Sequence, residues 1–195
     1  MHFWVSFFLL FSATLNISAN IGPQGFRDYV KGCFVETGSE WGNAIQKALD
    51  AGFRVIHSLE VAPNRAAHCK ERYKNYPNVH VWNKDSSTEL WDVISTIHEP
   101  ATFWLDAHYP GESPLGGNNT ALMGELEQIK RHPIKTHTIM IDDLHCCGTA
   151  LFDHHTKEEI IQKVLEINPN YTISFIPGGE DGTFLGNILV AFIKE

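Results

Sequence analysis

The sequence predicts an α/β fold: a three-layer αβα sandwich around a seven-stranded, mostly parallel sheet closed by a C-terminal antiparallel hairpin. Three observations lead there. Short apolar runs alternate with helix-like stripes along the chain, the pattern that right-handed crossovers turn into a parallel sheet. Most of these runs close on an acid, giving Glu36, Glu60, Asp85, Asp106, Asp142 and Asp143 at or just beyond predicted C-terminal strand ends. The last two runs are linked by Pro177-Gly178-Gly179-Glu180-Asp181-Gly182, turn chemistry that suits reversal of the chain.

Residues 22–31 read as a short lead-in helix carrying Phe26, Tyr29 and Val30. The first strand is expected at 33–37 and the first helix of the alternation at 42–51, stopped by Gly52. A second strand at 53–59 follows, then a helix opened by Pro63, where proline costs no hydrogen bond, that fades at Asn75-Tyr76-Pro77. Val79 to Trp82 is the third strand, and 88–97 a helix with Leu90, Val93, Ile94 and Ile97 on one stripe. Residues 101–105 are continuously apolar, as in a strand buried on both faces. After a Gly- and Pro-rich loop from Pro110 to Asn119 come a helix at 120–131, a strand at 137–141, a loop holding Cys146-Cys147-Gly148 and a helix at 156–167. Strands at 171–176 and 187–193 finish the chain. Trp82, Trp91 and Trp104 are expected in the core, and Trp41 stands apart in a glycine-bearing loop.

With 195 residues the chain has room for one domain with a single substantial core. The net charge of −8 and the lack of a Lys/Arg run argue against a nucleic-acid partner, which needs a basic face. Phe3 to Leu15 is almost wholly apolar and ends near small residues at Ala19, so residues 1–19 read as a signal peptide and 20–195 as the folded domain. The chain is then secreted, periplasmic or lumenal, with no stable span after cleavage. An uncleaved membrane anchor and a helix packed on the domain are the alternatives. Asn118-Asn119-Thr120 and Asn170-Tyr171-Thr172 have the glycosylation pattern. The four cysteines lack Cys-x-x-Cys spacing, which gives no sign of a structural zinc cluster. Oligomeric state is not written in the sequence.

The richest stretch is Cys33 to Gly42, answered by Val55-Ile56-His57-Ser58-Leu59-Glu60. Strand, glycine loop, helix, strand and closing acid form a nucleoside-binding half-site. Glycine permits close backbone approach, and the second acid can accept hydrogen bonds from ribose hydroxyls. Farther on, three carboxylates at adjacent strand ends, Asp106, Asp142 and Asp143, repel one another unless a proton or cation lies between them. A hard cation such as Mg2+ takes oxygen ligands and leaves room for substrate hydroxyls, while His108 can take a proton. The other reading has Asp142-Asp143 capping a turn, Asp106 accepting backbone N–H groups, and His108 and His145 as polar loop residues. His154-His155 reads as solvated loop.

On these residues the chain resembles class I S-adenosylmethionine-dependent methyltransferases, Rossmann-like in fold, over roughly 24–195. Val35-Glu36-Thr37-Gly38-Ser39-Glu40-Trp41-Gly42 is similar to the family's first motif, with Glu40 where a middle glycine is usual. The resemblance makes Glu36, Thr37, Gly38, Ser39, Gly42, Glu60, Asp85, Ser86 and Asp106 cofactor-binding residues. Phe103 to Gly111 and Ile139 to Asp143 narrow the likeness to FkbM-like and macrocin-type O-methyltransferases. That branch implies Asp106, Asp142 and Asp143 as magnesium ligands, with Asp106 and His108 catalytic and a sugar or small-molecule hydroxyl as acceptor. The alternatives are a secreted binding protein that keeps the fold without catalysis, a dinucleotide-dependent oxidoreductase sharing the opening unit, and a metal-dependent hydrolase.

Overall fold

The structure, a computed structural model, describes residues 21, 23–108, 118–178 and 184–194. The expected signal segment and most of the loop after His108 lie outside the described residues. No helix among the described residues is long and apolar enough to cross a membrane.

Seven strands form one sheet: β1 (Phe34–Thr37), β2 (Ile56–Glu60), β3 (Val79–Asn83), β4 (Thr102–Leu105), β5 (Thr138–Ile141), β6 (Thr172–Gly178) and β7 (Phe184–Phe192). Their order is β3-β2-β1-β4-β5-β7-β6, and β7 alone runs against the rest. The predicted mostly parallel sheet with a terminal hairpin is borne out. Pairing registers are simple: Thr37 lies opposite Leu59 on one side and Leu105 on the other, and Leu105 opposite Ile141. The residues that follow these therefore leave the sheet along one edge. The strand order reverses between β1 and β4, the switch point where such sheets bind ligands.

Alternate residues along the strands feed two cores. Phe34, Ile56, Trp104, Met140, Ile188 and Val190 pack under α1 (Pro23–Arg27), α2 (Asn43–Ala51) and α3 (Pro63–Arg72). Val35, Leu59, Phe103, Leu105, Ile139, Ile141 and Leu189 pack under α4 (Ser86–Ile94), α5 (Leu122–Arg131) and α6 (Lys157–Ile167). Parallel strands covered on both faces must be apolar throughout, which explains Thr102–Leu105. The structure shortens the lead-in helix to α1 and starts β2 at Ile56 rather than 53, because Gly52 ends α2 in a left-handed cap and the chain needs several residues to turn back. The loop after β5 contains two 3-10 turns, Leu144–Cys146 and Ala150–Phe152, which the sequence reading left irregular. α6 starts with a full capping box between Thr156 and Glu159. Trp104 is buried, but Trp82 is 38% exposed, contrary to expectation, because β3 is an edge strand. It stacks on His57 instead.

One buried polar chain crosses the α4–α5 side. The Ala101 N–H donates to His137 Nδ1 at 3.0 Å, and His137 Nε2 lies 3.0 Å from His132 Nδ1. His132 Nε2 lies 3.1 Å from the carbonyls of Ile94 and Ile97. This alternation is complete only when both rings are neutral. Burial first, then His132 and Lys135, push His137 from 6.5 down to about 3. A depressed histidine leaves its stability contribution intact above pH 6.5 and removes it as pH falls toward 3, since the unfolded chain binds the proton first. Relative to His137→Asn, the wild type should lose about 1.4 kcal/mol per pH unit below that onset. Urea unfolding of both proteins at pH 7.5 and roughly two units lower checks this; equal losses would assign the acid sensitivity elsewhere.

Candidate active site

The edge after β1, β2, β4 and β5 gathers the site. Glu36, at the end of β1, is 1% exposed, and the Ser58 hydroxyl donates to its carboxylate while Ser39 in turn bonds Ser58. Burial lifts the Glu36 carboxyl to about 8 against the opposing pull of the Ser58 hydrogen bond. The loop then turns through three left-handed residues, Gly38 (φ 82°), Glu40 (φ 47°) and Gly42 (φ 83°). Glu40 thus adopts a left-handed backbone that favours glycine, a conformation that costs a non-glycine residue about 1 kcal/mol or more. At Gly38 a Cβ would lie 2.5 Å from the Asp106 carbonyl oxygen, so the loop rests directly on the end of β4. Tyr73 donates to the Gly42 carbonyl at 2.6 Å and fixes the far side of the turn.

Glu60 accepts the N–H of Glu40 at 2.8 Å on one oxygen and that of Ala62 at 2.8 Å on the other. It thereby ties the β1 loop to the β2 loop. Each carboxylate oxygen has a second acceptor position. Asp85 caps α4, accepting the Ser87 N–H at 2.9 Å and its hydroxyl at 2.6 Å. Ser86, at the first helical position, is buried, and its hydroxyl donates to Glu125 at 2.6 Å. Trp41 points outward, 46% exposed, edge-on to His68.

Beyond β4 and β5 the second half of the site assembles. His108 Nε2 lies 3.2 Å from Asp143 Oδ2, and its Nδ1 3.7 Å from Asp106 Oδ1. Asp106, His108 and Asp143 each bring one ligand atom within 4.8 Å of the others. The histidine thus falls in the place that the sequence reading gave to Asp142. The reason is local: Asp143 is left-handed (φ 57°), which turns its side chain away from that of its neighbour. Asp142 instead accepts the Asp143 N–H at 2.7 Å and reaches the Asn187 amide at 3.4 Å. Burial first holds Asp106 and Asp142 well above the usual carboxylate range; the charges of Asp142 and Asp143 add to it at Asp106, and that of Asp143 at Asp142. Asp142 Oδ2 and Asp143 Oδ1 are buried with no hydrogen-bond partner. Asp106, His108, Asp142 and Glu125 line a small cavity of about 10 Å3, roughly the space of one water.

Two participants were missed in the sequence. Glu125 is 1% exposed and burial raises it to about 7, yet it reads in sequence as an ordinary charge within a helical stripe. Asn187, also buried, accepts the backbone N–H of His145 at 3.0 Å and lies 2.8 Å from its ring; nothing in its strand pattern marks it. Burial pushes Cys33 up to about 11 and Cys69 to about 12, and Cys146 is likewise buried and raised to about 12. His154 is exposed, as expected of a solvated loop.

No protein-family model and no curated sequence matches the chain. Solved structures do. N-methyltransferase NodS from Bradyrhizobium japonicum WM9 aligns at 12% identity and a TM-score of 0.53, covering 86% of this chain and 89% of that one. SMU.1697c from Streptococcus mutans, solved in complex with S-adenosylhomocysteine (SAH), aligns at 11% identity and 0.55, covering 87% and 94%. A Staphylococcus aureus protein described as a caffeoyl-CoA O-methyltransferase aligns at 13% identity and 0.56, covering 88% and 80%. At these identities the likeness speaks to architecture. The chain has the Rossmann-like fold seen in class I S-adenosylmethionine-dependent methyltransferases.

Proposed function

We propose that the chain is an S-adenosylmethionine-dependent O-methyltransferase acting on a hydroxyl of a sugar or other small molecule. One observation carries the reading: the Gly38 turn rests on the backbone of Asp106, so the nucleoside half-site and the Asp106–His108–Asp143 cluster meet at a single point. The residues fit the cofactor. Gly38 brings the loop against Asp106 with no side chain between them, and Glu60 keeps acceptor capacity for a ribose. S-adenosylmethionine would supply an electrophilic methyl group.

The chain's own work is orientation and proton removal. Imidazole is the side chain suited to taking a hydroxyl proton near neutral pH, and Asp143 holds that of His108 from one side while Asp106 faces the other. The cluster also fits a divalent cation, because Asp143 Oδ1 is buried without a hydrogen-bond donor and the carboxylates crowd one another. Asp106, His108 and Asp143 would hold it in place of His108 acting as the base, and it would lower the pKa of a hydroxyl brought to it. One imidazole among the ligands favours manganese or another first-row ion over the magnesium expected from the sequence.

A calorimetric titration with SAH, run with and without Mn2+, tests the reading. Binding at micromolar to millimolar Kd is the expected result, and no heat over that range would remove it. A second reading, a binding protein that keeps the fold without catalysis, draws on Glu60, whose two oxygens already hold the chain's own N–H groups. Mn2+ binding with no SAH heat would favour it.

A further inference from the structure

Helix α5 touches the first turn of α4 in a way that packing alone does not require. Gln128 is 5% exposed, and its amide makes four contacts. Its Nε2 donates to the carbonyls of Ser86 at 2.8 Å, Ser87 at 2.9 Å and Gly124 at 3.1 Å. Its Oε1 accepts the Trp91 N–H at 2.7 Å. Ser87 C=O and Trp91 N–H are the two ends of one α-helical rung, so a single side chain grips both. One turn earlier, a Cβ on Gly124 would sit 2.3 Å from the Ser87 carbonyl oxygen, and only glycine lets the helices approach so closely. Between them Glu125 accepts the Ser86 hydroxyl at 2.6 Å and lines the cavity shared with Asp106 and His108. The first turn of α4 follows β3, and it holds Asp85 and Ser86, which the methyltransferase resemblance makes cofactor-binding residues.

We infer that Gly124, Glu125 and Gln128 are positioning residues that set the cofactor-side turn Asp85-Ser86-Ser87 before any ligand arrives, and that Glu125 joins this turn to the cavity lined by Asp106 and His108. The inference rests on the nucleoside-binding reading above. The clamp touches no reacting atom. It fixes where the Ser86 and Ser87 backbone stands, and a preset turn binds without the cost of ordering a loose one.

The test uses the full chain with Gln128→Met, which keeps volume and removes all four polar contacts. SAH and adenosine affinities are measured by calorimetry at a temperature well below each protein's Tm. Gln128→Met should weaken both ligands about tenfold, the effect of leaving buried polar groups unpaired beside the site. Wild-type affinity in Gln128→Met with only a lowered Tm would show a packing role and overturn the inference. If Gln128→Met does not fold, Glu125→Leu takes its place: a loss comparable to that expected for Gln128→Met supports the clamp, and unchanged affinity overturns it. A wild type that binds neither ligand would instead remove the underlying functional reading.

Discussion

Replacing His108 by alanine should lower kcat by about 10²–10⁴-fold, the usual weight of a positioned general base, while SAH affinity stays within roughly twofold. The asymmetry follows from placement. His108 stands between Asp143 and Asp106 on the acceptor side, and no cofactor-seating hydrogen bond of the β1 loop passes through it. Release of SAH from S-adenosylmethionine in the presence of a saccharide panel gives the rate, and calorimetry gives the affinity. Asp143→Asn should fall between the two proteins, since an amide of the same shape still sits beside the ring but carries no charge. Equal rates for wild type and His108→Ala would strike the histidine from the mechanism. Loss of rate and SAH binding together would make it part of the cofactor seat.

Gly38→Ala carries the second large effect, on binding rather than turnover. A left-handed φ of 82° strains any side chain, and the new Cβ would meet the Asp106 carbonyl oxygen at 2.5 Å and its carbon at 2.9 Å. Both are backbone atoms, so no rotamer relieves the clash. The loop must lift from β4 or β4 must shift, at a cost of about 1–3 kcal/mol. SAH Kd should rise by at least about tenfold and Tm should drop by several degrees. Gly52→Ala is the control: it has a similar φ of 97° but meets nothing within 4 Å, so it should lose stability without losing SAH affinity. If both variants bind SAH like wild type, the Gly38 turn is not the cofactor seat.

The layers were legible because burial on both faces writes itself into composition. Thr102–Leu105 and Thr138–Ile141 have no polar face to show. The acids at strand ends were legible for the opposite reason, since a carboxylate at the end of an apolar run is conspicuous. Direction was not legible. Asp142 and Asp143 are neighbours in a run of two, and only the left-handed backbone at the second decides which one meets His108. Aspartate tolerates either conformation, so its identity does not announce the turn. Trp82 was misplaced because apolarity says nothing about whether a strand lies at the centre or the edge. The α4–α5 clamp links Ser86 to Glu125 across 39 residues, a separation at which no local pattern reports contact.

The seam between Gly38 and Asp106 is made of main chain on both sides, with no rotamer available to absorb a displacement. Whatever enters the first loop therefore pushes on the start of the second, and the Asp106–His108–Asp143 cluster hangs from that start. Drift in acceptor preference would have to accumulate elsewhere along the rim, because a change at this joint would disturb both partners of the reaction at once.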